Sequence, residues 1–327
     1  MRGCGSYRVI MPLHPFVKAM LENGRTQNRP AVSDGSPQDA RDLVARTVEL
    51  VGRGPDVGDV SALEIPSRAG SVGARLIRSQ RPEQGLIVYL HGGGWVCGSL
   101  DYADIVARNL VRYSDCAALV VDYRLAPEHP FPAGLEDCED AIIWAYREMP
   151  ALLARRLALV VAGDSAGGNL CAVATASLRG KIDCALQVLF YPITDSDATR
   201  PSYRRYAEGL PLTRKDMQWF FRLYAPEGLW TDPRIAPLRQ PDLAGCPPTW
   251  MVTAEYDVLR DEGEAYAQRL SEAGVPVDIR RAESLAHGFV TLPNLVEPVA
   301  SLLEDAGRSI ASHCVGYRAR KSSIHTA

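Results

Sequence analysis

Three side chains in this sequence could together activate a hydroxyl, and they lie far apart in the chain. Ser165 sits in Gly163-Asp164-Ser165-Ala166-Gly167, which fits G-x-S-x-G. That pattern makes a sharp strand-to-helix turn that lifts a serine hydroxyl clear of a sheet. A serine hydroxyl alone is a poor nucleophile at neutral pH. It needs an adjacent base, and the base needs an acid to orient it. Three histidines follow Ser165 in the chain. His325 falls in the C-terminal tail and His313 near the end of the last predicted helix. His287 falls in Leu285-Ala286-His287-Gly288-Phe289, just past a strand, where open α/β sheets place their sites. For the acid, the order in such hydrolases is Ser, then Asp or Glu, then His. Asp257 directly follows the apolar strand 249–254 and is the choice. Glu255, Asp261 and Glu262 are its rivals, and Asp261 reads as the cap of the helix that follows.

Acyl transfer through a serine also needs donors for the oxyanion it creates. Backbone N–H groups suit this because they are fixed before reaction, and losing one such donor costs roughly 3 kcal/mol of barrier. His91-Gly92-Gly93-Gly94-Trp95 can supply them, its glycines bringing bare N–H groups near the serine. A glycine run can instead cradle phosphate. Here G-x-x-x-x-G-K-[ST] is missing and no helix opens at once, so a P-loop is disfavoured.

Such residues must be carried by elements that end together. Segments 57–65 and 72–78 alternate apolar and polar residues and predict an antiparallel pair of strands. Apolar strands follow at 86–90, 117–123, 157–162, 186–191, 249–254 and 277–281. Helices are predicted near 102–113, 135–148, 170–178, 213–224, 262–273 and 299–309. This alternation predicts a mostly parallel sheet covered on both faces. Before the strands, Phe16, Val17, Met20 and Leu21 have helical spacing, and 39–51 is a second amphipathic helix. The interval 196–237 breaks the rhythm, is rich in aromatic residues and reads as a lid. The expected division is therefore an N-terminal extension and two helices at 1–50, core at 51–195, a lid insertion at 196–237, core again at 238–315 and a frayed tail at 316–327.

His91-Gly92-Gly93-Gly94-Trp95, Gly163-Asp164-Ser165-Ala166-Gly167-Gly168 and His287-Gly288-Phe289 resemble the hormone-sensitive-lipase family of α/β-hydrolase esterases. Asp122-Tyr123-Arg124-Leu125-Ala126-Pro127-Glu128-His129-Pro130-Phe131-Pro132-Ala133 and Ala254-Glu255-Tyr256-Asp257-Val258-Leu259-Arg260-Asp261-Glu262-Gly263 are similar to it as well. The resemblance runs from about Met11 to Ile310. It implies an eight-stranded, mostly parallel α/β-hydrolase fold with a helical cap, built from the N-terminal helices within 1–50 and the cap insertion at 196–237. It implies Ser165 as nucleophile, His287 as base and Asp257 as acid, with the N–H groups of Gly93, Gly94 and Ala166 forming the oxyanion hole. It also implies a homodimer through the C-terminal strand and helix. Val258 stands where the family usually has proline, and 282–286 is unlike the usual segment, so an altered pocket shape is expected. Trp95, Trp219 and Phe220 are candidates to line an apolar acyl or alcohol pocket.

Composition narrows the rest. The 327-residue chain is 46% hydrophobic with a formal charge of −3, which implies no strong field for nucleic acid or membrane. The eight cysteines form no C-x-x-C and no zinc-ligand spacing, which favours a reducing, cytoplasmic compartment. No metal or organic cofactor is expected. The expected activity is hydrolysis of a small carboxylic ester with a short or medium acyl chain. An amidase or N-deacetylase with the same triad is the first alternative. A non-catalytic receptor, like the plant gibberellin receptor that resembles this family without the histidine, is the second.

Overall fold

The computed structural model describes residues 12–325. The first residues of the N-terminal extension expected within 1–50 lie outside the described residues. β1 (Val60–Ser67) and β2 (Gly70–Ile77) form an antiparallel hairpin, Val60 opposite Ile77 and Ser67 opposite Gly70. β3 (Gly85–Leu90), β4 (Ala117–Asp122), β5 (Ala158–Asp164), β6 (Cys184–Phe190), β7 (Thr249–Tyr256) and β8 (Val277–Ala286) are parallel to their neighbours among themselves. β2 joins them by antiparallel pairing with β4, and the eight-stranded order is β1-β2-β4-β3-β5-β6-β7-β8.

The helices explain why the central strands read as unbroken apolar runs. α1 (Pro15–Thr26) and α2 (Pro37–Val51) precede the sheet. α3 (Leu100–Ser114), α4 (Ala133–Leu153), α5 (Ala166–Ser177), α6 (Pro201–Arg205), α7 (Arg214–Tyr224), α8 (Arg260–Glu272) and α9 (Glu297–His325) follow or interrupt its strands. Along β3, Leu86, Val88 and Leu90 enter one core with residues of α4, α5 and α8. Ile87 and Tyr89 enter the other with residues of α3 and α9. A strand buried on both faces has no polar alternation to show.

Two helices overrun their predicted ends. α4 continues through Pro150 to Leu153. A proline lacks the N–H that would bond the carbonyl four residues back, and Arg156 donates to Tyr146 O in its place. α9 runs to His325, so the frayed tail expected at 316–327 is helical as far as it is described. Ile310, Cys314 and Tyr317 recur at helical spacing and stay buried in the core shared with α3, which prolongs the helix.

Two stretches distant in sequence meet at the start of α7. Thr213 and Asp216 form a capping box at the start of α7, and the same Asp216 carboxylate accepts Ser33 N at 3.0 Å. Lys215 pairs with Asp34 beside it. One aspartate therefore starts a helix of the insertion and ties it to the segment between α1 and α2.

Candidate active site

β5 ends at Asp164 and α5 begins at Ala166, leaving Ser165 alone in the turn with φ 53° and ψ −117°. The glycines around it are sterically required. A Cβ on Gly163 would lie 2.5 Å from Gly167 backbone, and one on Gly167 would lie 2.0 Å from Leu90 O. Ser165 N donates to Phe190 O and Ser165 O accepts Ile193 N, so β6 and its exit hold the turn at both ends of the residue.

His287 lies just past β8, before Gly288 in the left-handed region at φ 83°. Its Nε2 is 2.9 Å from Ser165 Oγ, and its Nδ1 is 2.7 Å from Asp257 Oδ2. An ionised carboxylate only accepts, so Nδ1 carries the proton and Nε2 is left to accept from the serine hydroxyl. Asp257 is buried past the end of β7, and its other oxygen accepts Leu259 N at 3.0 Å. Tyr191 packs its ring 4.6 Å from the His287 ring and accepts Val290 N on its own hydroxyl. Four side chains from the ends of β5, β6, β7 and β8 thus meet at one edge of the sheet.

The family model for the α/β hydrolase fold matches residues 87–291. Carboxylic ester hydrolase LipN of Mycobacterium tuberculosis is 42% identical over 256 residues, 73% of this chain and 66% of that protein. Ethyl acetate hydrolase of Pseudomonas putida is 33% identical over 301 residues, 88% of this chain and 95% of that one. The solved hyperthermophilic esterase from the archaeon Pyrobaculum calidifontis superposes with a TM-score of 0.87 at 34% identity, covering 92% of this chain and 99% of that chain. This chain belongs to the hormone-sensitive-lipase-like esterases of the α/β-hydrolase family.

In this hydrolase the glycine loop after β3 lies directly against the serine turn. Gly93, Gly94 and Trp95 have φ of 121°, 61° and 62°, a positive-φ run that the two glycines enter freely and Trp95 does not. Asp164 anchors its start, accepting Gly92 N at 2.9 Å, Tyr89 OH at 2.8 Å and Tyr102 OH at 3.3 Å. Burial pushes the Asp164 carboxyl above its ordinary range, and these donors oppose the push. His91 is fully buried, stacked on Tyr123, with Nδ1–H donating to Gly92 O at 2.8 Å. Burial holds its ring neutral, pushing its pKa down to about 4.

The aromatic candidates separate once placed. Trp95 is buried and stacks on Tyr224 of α7 at 4.3 Å, so it joins the glycine loop to that helix. Phe220 of α7 covers Gly94, where an added Cβ would lie 2.2 Å from the ring. Trp219 is partly buried and meets Phe220 edge-on. The rival acids have other work. Glu255 accepts Ser284 N, and Glu262 accepts Thr194 N and Asp195 N. Asp261 is not the cap of α8, which begins one residue earlier. It instead accepts Ser202 N in α6 and pairs with Arg260. Sequence reasoning passed over Asp164 and Tyr191. The first was legible only as the free position of G-x-S-x-G, and the second carried no motif. Among the described residues no helix is long and apolar enough to cross a membrane.

Proposed function

We propose that this hydrolase is a serine carboxylesterase that cleaves small esters of short- to medium-chain acids through an acyl-enzyme. The observation that carries the proposal is the unbroken hydrogen-bonded line from Asp257 through His287 to Ser165. His287 takes the Ser165 proton as the oxygen attacks the ester carbonyl, and Asp257 stabilises the imidazolium that results. The oxyanion is received by Gly93, Gly94 and Ala166, the last at the N-terminal end of α5, where the helix dipole favours negative charge. His287 then protonates the leaving alcohol, and water reverses the sequence to free Ser165. A short acyl chain is supported by Phe220 standing over Gly94. Phe220 and Trp219 supply the apolar surround of the site, and Trp95, stacked on Tyr224, backs it from within. β8 is the last strand of the sheet with an unpaired edge, which supports a homodimer through β8 and α9. The cysteines among the described residues are unpaired, which supports a cytoplasmic setting.

The test is the rate of hydrolysis of p-nitrophenyl esters from acetate to dodecanoate by the wild type and by Ser165→Ala. The reading requires a maximum at short chains and its abolition in the variant. Equal activity in Ser165→Ala would end it. Faster turnover of a matched anilide than of the ester would move the assignment to an amidase.

A further inference from the structure

The glycine loop is held from the core by Asp164, and its far end is held from the cap. Arg41 projects from α2, and its guanidinium makes four hydrogen bonds. Nε donates to Val96 O at 2.9 Å, and Nη2 donates to Ala126 O at 3.0 Å. Nη1 and Nη2 also grip Glu128 Oε1 and Oε2 at 2.9 and 2.5 Å. Ala126 N in turn donates to Trp95 O at 2.9 Å.

The Val96 carbonyl shares its peptide unit with Cys97 N–H. That N–H donates to Gly93 O at 2.8 Å. The Gly93 carbonyl in turn shares its peptide unit with Gly94 N–H, one of the two loop donors assigned to the oxyanion. A positive group donating to a carbonyl makes the N–H of the same amide a stronger donor, and hydrogen bonds in series polarise one another. Each link here has the sign that helps. The cation pulls on Val96 O, Cys97 N–H pulls harder on Gly93 O, and Gly94 N–H becomes more positive where negative charge develops. The first contact is also a charge-assisted one.

We propose that Arg41 is a positioning residue of the esterase reaction. It fixes and polarises the oxyanion loop from the cap through the two-peptide relay Val96–Cys97 to Gly93–Gly94. The proposal rests on the hydrolase reading above and adds to it that the N-terminal cap helix takes part in transition-state stabilisation as well as covering the site. Glu128 orients the guanidinium but touches neither peptide of the relay.

The experiment compares Arg41→Met, Arg41→Lys and Glu128→Gln in the full chain, with p-nitrophenyl acetate as substrate. It follows kcat, KM, Tm and the affinity of a trifluoromethyl ketone that adds to Ser165. Arg41→Met should lower kcat about tenfold or more with KM within about twofold, and ketone affinity should fall with kcat/KM. Arg41→Lys keeps the charge but cannot reach both carbonyls, and should fall between Arg41→Met and wild type. Glu128→Gln keeps both carbonyl bonds and should stay within about twofold of wild type. Wild-type kcat in Arg41→Met overturns the relay, as does a loss confined to KM or unaccompanied by weaker ketone binding. Should Arg41→Met fail to fold, a loss in Glu128→Gln as large as that in Arg41→Lys overturns it, because the ion pair rather than the relay would then be the agent. The two readings fail separately. A wild type with no Ser165-dependent hydrolysis sinks the esterase, whereas an active wild type matched by Arg41→Met sinks only the relay.

Discussion

The two halves of the site are built by different means. Ser165, Asp257 and His287 stand at the ends of β5, β7 and β8, whose backbones are tied to one another by sheet pairing. The glycine loop at 91–98 follows β3, which ends at Leu90. From its first residue its shape depends on side chains from elsewhere: Tyr123 donates to His91 O, Asp164 accepts Gly92 N, and Trp95 packs against Tyr224 of α7. In the proposed reaction, proton transfer falls to groups that share a rigid frame. Oxyanion stabilisation falls there to backbone whose geometry is borrowed from its neighbours. Mutations distant in sequence should therefore reach the second function more readily than the first.

Four measurements press on this contrast. The largest effect should come from Asp257→Asn, whose amide leaves His287 in the wrong tautomer. A loss of about 10⁴ in kcat with a nearly unchanged Tm is expected, and a loss under about tenfold would show that the frame orients His287 without the acid. His91 gives the next. It protonates at an ordinary value when unfolded but only near 4 when folded, so the unfolded state binds the proton first as pH falls. Stability present above about pH 6.5 is lost toward pH 4, by ~3 kcal/mol. Histidine NMR should show one ring titrating near 4, and a value close to 6.5 would place the loop in solvent. Asp164→Asn comes third. Asparagine has one acceptor oxygen for the three donors Tyr89, Gly92 and Tyr102, so kcat should fall roughly 10- to 100-fold with KM little changed. Wild-type turnover would mean that the loop keeps its shape without this anchor. The smallest is Phe220→Leu, which opens space above Gly94. The preferred acyl chain should lengthen by about two carbons with a few-fold change in rate, and an unmoved optimum in the p-nitrophenyl series would put Phe220 outside the acyl path.

The sheet and the grouping of Ser165, Asp257 and His287 were legible because both follow local rules. Buried strands announce themselves as apolar runs, and Ser165, Asp257 and His287 each sit just past one. The stretch 196–237 stood out in the sequence as an interruption of the strand–helix rhythm, but its contacts with the rest of the chain did not. Nothing in the neighbourhood of Arg41 points to Val96, Ala126 or Glu128, because that contact exists only after α2 has docked on the core. Asp261 misled for the opposite reason. Its place near the start of a helix matches a cap, yet α8 already begins at Arg260 and the partner of Asp261 is Ser202, from a five-residue helix distant in sequence. The end of α4 was hidden by Pro150, a residue that stops most helices, because the compensating donor is Arg156 beyond the helix end.

Ser165 occupies backbone space that glycine enters without penalty and serine does not. Replacing it with glycine removes the hydroxyl and also relieves a strain of roughly 1–3 kcal/mol. Random mutation at this one codon would then yield an inert protein hardier than the working one. The serine persists only while selection acts on turnover, against a thermodynamic pull the other way. Laboratory evolution of this chain for heat resistance alone should lose it.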